Sequence, residues 1–131
     1  MTPPGGDPDC SLFRWTALRL GWAFKGLFSF LREPQNLYVH LPAAAAVFAV
    51  GCILRIDRVD WCLIVFAVAI VLVSEGLNSA LESLADAVHP TEHPLVGRAK
   101  DVAAGAVLLA SFAAAAVGVI VFLPKLIALV F

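Results

Sequence analysis

The sequence has few charged residues, and the charges of opposite sign nearly cancel. Charged side chains make up 15% of the 131 residues, and the formal net charge is −1. This balance provides no general basic surface, so we expect no nucleic-acid partner. The three cysteines, Cys10, Cys52 and Cys62, follow neither a metal-ligand nor a disulfide spacing. We interpret them as small apolar residues.

The sequence also lacks the best-known nucleotide-binding motifs. Neither the pattern G-x-x-x-x-G-K-[ST] nor the glycine-rich loop of protein kinases occurs. No internal repeat is present, and the length permits one domain. Charges are mixed into the first apolar segment, so we expect no secretory signal peptide. These absences exclude the P-loop and protein-kinase classes, as well as repeat architectures.

Apolar residues dominate what is present. They make up 61% of the chain, against about 45–50% in soluble domains. A membrane-spanning helix needs about 20 apolar residues. We predict an all-α integral membrane protein with three spans, at about residues 39–56, 61–88 and 102–123. Residues 1–10, which are rich in Pro and Gly, are predicted to be a disordered tail before a domain at 11–131.

Residues 11–32 are predicted to form an amphipathic helix. Arg14, Lys25 and Arg32 fall within about 20° of one line on a helix, and the other sides carry Leu, Phe and Trp. Such a helix is suited to lying along a membrane interface. It is either a surface anchor without chemistry, or Arg14 or Lys25 contacts an anionic ligand.

Lysine and arginine residues are distributed unevenly around the predicted spans. Six precede the first span or follow the second, namely Arg14, Arg19, Lys25, Arg32, Arg98 and Lys100. Three lie on the opposite side, namely Arg55, Arg58 and Lys125. The positive-inside rule therefore predicts a cytoplasmic N-terminus and a cytoplasmic loop around Glu92.

The second predicted span ends in a polar stripe. Asn78, Ser79, Glu82 and Asp86 lie within about 60° of the direction of Glu75 on a helix. Carboxylates on a membrane helix normally face a protein interior or a wet cavity, and they mark function. At the cytoplasmic interface they can hold Mg²⁺ with substrate phosphates, or accept a proton from a hydroxyl. The spacing alone equally permits an ion or proton pathway, or a polar seam between helices.

Two motifs then resemble a known family. They are Glu75-x-x-Asn78-Ser79-Ala80-x-Glu82-x-x-x-Asp86 and His93-Pro94-Leu95 followed by Ala99-Lys100-Asp101-Val102-Ala103-Ala104-Gly105. Together they resemble the signature of the small bacterial diacylglycerol kinase and undecaprenol kinase family, over about residue 12 to the C-terminus. The resemblance implies a homotrimeric helix bundle of three-span subunits, each with an interfacial N-terminal helix, in the bacterial inner membrane. It also implies transfer of the γ-phosphate of ATP, with Mg²⁺, to a membrane lipid alcohol at the cytoplasmic interface.

The same resemblance suggests roles for individual residues. It makes Glu75 the catalytic base, Glu82 a metal ligand beside ATP, and Asn78 a supporting polar group. Residues on the nucleotide side would be Arg14, Glu92, His93, Lys100 and Asp101.

The segment before the first span departs from the family's usual form, which is similar to E-x-N-x-R-x-H. This chain reads Glu33-Pro34-Gln35-Asn36-Leu37-Tyr38-Val39-His40. Glu33 lies one residue further from Asn36, and Tyr38 replaces the basic residue. Glu33 is the best candidate for a second metal ligand, and His40 and His89 receive no role. Ala103-Ala104-Gly105 resembles the undecaprenol branch and Gly97-Arg98-Ala99 the diacylglycerol branch, so the lipid substrate stays open.

Overall fold

The computed structural model describes residues 8–130, with side chains described for residues 14–129. Within these residues the chain is helical and contains no strand. The elements are helix α1 (Pro8–Leu31), a π-helix (Asn36–His40), helix α2 (Leu41–Ile53), helix α3 (Arg58–Val88) and helix α4 (Pro94–Val130). The predicted all-α class is confirmed.

Three helical segments are long and apolar enough to cross a membrane. They are Asn36–Ile53, Arg58–Val88 and Pro94–Leu129, judged by length and composition. The three-span prediction is therefore confirmed. Most of the predicted disordered tail lies outside the described residues, and α1 begins at Pro8 rather than at residue 11. The placement of α1 along a membrane interface stays a prediction.

Helix α4 is longer than its apolar run suggests. It begins at Pro94, because proline fits the first turn of a helix, where its missing N–H would have no helical partner. The sequence predicts that Pro124 and Lys125 end or interrupt the helix, but it continues to Val130. An internal proline removes one backbone hydrogen bond and strains one turn. Here the apolar residues on both sides continue the helical structure.

The buried core lies at the end of the molecule away from the acidic stripe. Its buried residues are Ile56, Ile64 and Val121, against which partly buried residues of α2, α3 and α4 pack. Ile64 precedes Glu75 by eleven positions, or about 16 Å along α3. The stripe is therefore positioned by a helix whose other end is held in the core.

Asp57 caps α3 at this same end. Its Oδ1 accepts hydrogen bonds from the backbone N–H groups of Val59 at 2.9 Å and Asp60 at 3.0 Å. The Asp60 and Val59 N–H groups, together with nearby Lys125, hold the pKa of Asp57 below its ordinary value. A lowered carboxyl pKa means that this stabilisation is complete at neutral pH and is lost as the pH falls through the folded-state pKa. Lys125 also lies 3.1 Å from Asp60 Oδ2, which ties α4 to the start of α3.

Gly51 allows α2 to approach Trp61 closely, and we predict that Gly51→Ala is destabilising. An added Cβ would lie 2.8 Å from Trp61 Cη2 and 3.1 Å from Ile56 Cδ1. The Trp61 ring is stacked on Phe48 with centroids 5.7 Å apart, so a shift of the ring would disturb this contact. We expect a loss of about 1–3 kcal/mol in the free energy of unfolding, measured in mixed micelles. Gly21→Ala is the control, because nothing lies within 4 Å of its added Cβ. An equal loss at both positions would contradict the prediction.

Candidate active site

Glu75 is the only buried charged side chain among the described residues. Its side chain is 9% exposed, and its Oε1 lies 2.9 Å from Nε2 of His40, whose side chain is 17% exposed. This distance is that of an ion pair, although Nε2 has no partner with hydrogen-bond geometry. The imidazole is thus placed to compensate a carboxylate that has lost most of its contact with solvent.

Glu33, the predicted second metal ligand, contacts the polar stripe of α3 through Ser79. Ser79 Oγ donates a hydrogen bond of 2.9 Å to Glu33 Oε2, across 46 positions of sequence. Asn36 Nδ2 donates to the same oxygen at 3.3 Å and to the carbonyl oxygen of Phe30 at 2.9 Å. Asn36 is only 2% exposed, so it joins the end of α1 to the following segment from a buried position.

The π-helix gives the segment before α2 an unusual register. Its closing bond runs from the N–H of Leu41 to the carbonyl of Asn36, a separation of five residues. A π turn contains one residue more than an α turn, and π turns are frequent at functional sites. The chain has one extra residue between Glu33 and Asn36, and this wider turn follows directly. Glu33, which precedes the π-helix, and His40, its last residue, both contact α3.

Asn78 and Glu82 form the next part of the stripe. Asn78 Nδ2 donates a hydrogen bond of 2.9 Å to Glu82 Oε1, and this bond orients the carboxylate. The Asn78 Oδ1 atom is buried and has no hydrogen-bond partner within the described residues. Glu82 is exposed on the single chain.

The oxygen atoms around Glu33 and Glu82 suit Mg²⁺ in their chemistry. Both carboxylates are hard oxygen donors, and Glu33 is bonded to Ser79, which lies three positions before Glu82 on α3. Within residues 14–129 of one chain, no group of three His, Cys, Asp or Glu side chains converges on a metal position. The donor set fits an ion that completes its coordination with water and phosphate oxygens.

A separate polar cavity lies where α3 ends and α4 begins. Its volume is about 650 Å³, and its polar lining comes from Asp86, His89, Thr91, Glu92, His93 and Lys100. Lys100 Nζ lies 2.5 Å from Asp86 Oδ1, which joins the two helices across the cavity. His93 Nδ1 accepts a hydrogen bond of 3.2 Å from the N–H of Leu95 at the start of α4.

The structure brings together only part of the predicted nucleotide side. Glu92, His93 and Lys100 line the cavity with Asp86, whereas Asp101 and Arg14 do not. Asp101 and Arg14 are exposed on the single chain. Their roles toward a nucleotide stay predictions.

His40 is the residue that sequence reasoning missed. The sequence assigns it no role, yet it is the polar side chain that lies against Glu75. A usable signal is present, because the family form E-x-N-x-R-x-H ends in a histidine at the position of His40. Ser79 belongs to the predicted stripe, but its bond to Glu33 is not predicted by the helical spacing.

Comparisons with known proteins agree with the two motifs. The family model described as prokaryotic diacylglycerol kinase matches residues 21–122. An undecaprenol kinase of Bacillus subtilis is 34% identical over 104 residues, which is 79% of this chain and 85% of that protein. A diacylglycerol kinase of Synechocystis is 35% identical over 114 residues, or 86% of this chain and 64% of that protein. A diacylglycerol kinase of Escherichia coli is 33% identical over 98 residues, or 75% of this chain and 73% of that protein. The chain therefore belongs to the prokaryotic diacylglycerol kinase family, and it is a lipid kinase.

Proposed function

We propose that the protein transfers the γ-phosphate of ATP, with Mg²⁺, to the hydroxyl of diacylglycerol or undecaprenol at the cytoplasmic interface of a bacterial inner membrane. One observation carries the proposal. The buried carboxylate of Glu75, the exposed carboxylate of Glu82 and the cavity lined by Lys100 follow one another from α3 into α4, and Glu33 is bonded to Ser79 between the two glutamates of α3. Phosphoryl transfer needs a base, a metal site and groups that position the phosphates.

Glu75 is the base in this mechanism. Its carboxylate accepts the proton of the lipid hydroxyl as the hydroxyl oxygen forms a bond to the γ-phosphorus. The bond between that phosphorus and the bridging oxygen breaks, and ADP leaves. Glu33 and Glu82 would hold Mg²⁺, which neutralises charge on the phosphate oxygens when bound. Lys100, at the other end of the stripe, contacts phosphate as a point charge.

The lipid substrate has a suitable approach between α1 and α3. A largely apolar cavity of about 570 Å³ lies there, with Glu33 and Ser79 among its lining residues. Most of its other lining comes from apolar side chains such as Leu27, Phe30 and Leu77. A hydrocarbon chain in this cavity would place its hydroxyl end near the polar stripe.

We further propose that the working form is a homotrimer, as the family resemblance implies. In the single chain Glu82 is exposed, although it lies on α3, which is long and apolar enough to cross a membrane. Carboxylates on a membrane helix normally face a protein interior or a wet cavity, so neighbouring subunits are expected to cover this part of the stripe. Mass measurement in detergent should give three subunits, and a fully active monomer would refute the proposal.

The direct test is phosphate transfer from labelled ATP in mixed micelles that contain either diacylglycerol or undecaprenol. We expect the label in a lipid phosphate only when Mg²⁺ is present, and chelation should abolish it. The preferred lipid identifies the substrate. Ion flux through liposomes without ATP turnover would instead support a transport function for the acidic stripe.

A further inference from the structure

We propose that His40 is a positioning residue for Glu75. It holds carboxylate oxygen Oε1 through Nε2 and leaves Oε2 free to face the lipid hydroxyl. This inference rests on the proposed role of Glu75 as the base. It assigns a function to a side chain on a different helical segment, which contributes neither a proposed metal ligand nor a nucleotide contact.

The first argument is the isolation of the pair. His40 Nε2 lies 2.9 Å from Glu75 Oε1, and it provides the only polar contact to this carboxylate among the described residues. A carboxylate that is 9% exposed normally has a charged or hydrogen-bonding partner. A base must be ionised before it accepts a proton, so the partner of Glu75 bears directly on catalysis.

The second argument concerns the proton on the imidazole. An ionised carboxylate only accepts hydrogen bonds, so Nε2 must carry the hydrogen for the contact to be attractive. This holds for both the neutral Nε2–H tautomer and the imidazolium. The contact uses Oε1, which leaves the second oxygen with its lone pairs unoccupied by any described side chain. His40 therefore determines which oxygen of Glu75 is available.

The third argument is the backbone that carries His40. It is the last residue of the π-helix, which begins at the buried Asn36. A π turn is rare and has a functional association, so its presence at the start of a span needs a reason. Here the turn delivers Asn36 to the end of α1 and His40 to α3 from one short segment.

The experiment compares three substitutions in the full chain in mixed micelles. In His40→Gln the side-chain amide reaches the position of Nε2, whereas in His40→Asn it reaches only the position of Nδ1. In His40→Leu no hydrogen-bond donor remains. A catalytic group that is displaced by about 1 Å can lose about 100-fold in activity. We expect a loss of this size in kcat for His40→Leu and His40→Asn, with the KM for ATP nearly unchanged. His40→Gln should recover at least about tenfold over Asn. Val39→Leu, also on the π-helix and 56% exposed, is the matched control.

The outcomes separate this inference from the proposed function. The positioning role is overturned if the wild type is active and His40→Gln and His40→Asn have the same kcat. It is also overturned if His40→Leu retains full kcat. In both cases the proposed kinase function stands. If wild type phosphorylates neither lipid, the proposed function fails, and nitrogen chemical shifts of His40 test the contact without activity. A protonated Nε2 whose shift changes in Glu75→Ala supports the contact, and an unchanged shift overturns it. A Leu variant that fails to fold leaves the Gln and Asn pair to decide.

Discussion

Glu75→Gln is expected to reduce lipid phosphorylation by about 10²–10⁴-fold, the usual contribution of a positioned general base. Binding of MgATP should remain nearly intact, because the loss of a base affects the rate rather than ground-state binding. Glutamine keeps the length and shape of the side chain and has an amide oxygen for the N–H of His40 to contact. The loss of turnover therefore reports the missing proton acceptor and not a collapsed site.

The measurement combines the kinase assay with calorimetric titration of a non-hydrolysable ATP analogue. Asp60→Asn is the matched control, because Asp60 is paired with Lys125 at the opposite end of α3. Asp60→Asn should retain both lipid phosphorylation and binding of the ATP analogue. If Glu75→Gln loses nucleotide binding, Glu75 belongs to the ATP site. If it keeps full turnover, the base is another group.

The polar stripe of α3 is predictable from the sequence because its arrangement depends on local geometry. A helix fixes the angle between residues along its length, so the residue spacing alone places Glu75 to Asp86 on one side of α3. The neighbouring positions Asn78 and Ser79 lie on either side of the stripe's centre. In the structure Asn78 contacts Glu82 within α3, and Ser79 contacts Glu33, which lies in the segment after α1.

The contacts that sequence reasoning missed depend on register between segments. The pairing of His40 with Glu75 follows from the π-helix, and a π turn has no reliable local sequence signal. Helix periodicity gives the faces of α3, but it does not tell which residue of another segment meets each face. The α4 boundary at Pro94 is missed for a related reason. Its proline-rich surroundings predict a loop, although proline is equally suited to the first turn of a helix.

The position of Lys100 shows an intermediate case. The family resemblance assigns Lys100 to the nucleotide side. The structure adds that Lys100 contacts Asp86 and lines a cavity with Glu92 and His93. Asp86 belongs to the predicted polar stripe and receives no individual role from the sequence. Its contact with Lys100 gives it a structural partner, and a phosphate in the cavity would compete for the same ammonium group.

Glu82→Gln is expected to weaken MgATP binding as well as turnover, unlike Glu75→Gln. Glu82 lies seven positions beyond Glu75, or about 10 Å along α3, so a single ligand atom does not reach both carboxylates. The substitution removes a charged oxygen from the proposed metal shell while keeping an oxygen that accepts the Asn78 bond. Loss of a charged contact worth about 1.5–3 kcal/mol corresponds to about 10–100-fold in Kd. Titration of the ATP analogue at several Mg²⁺ concentrations should show this weakening, and excess Mg²⁺ should partly restore binding. If Glu82→Gln binds MgATP normally while Glu75→Gln does not, the roles of the two glutamates are reversed.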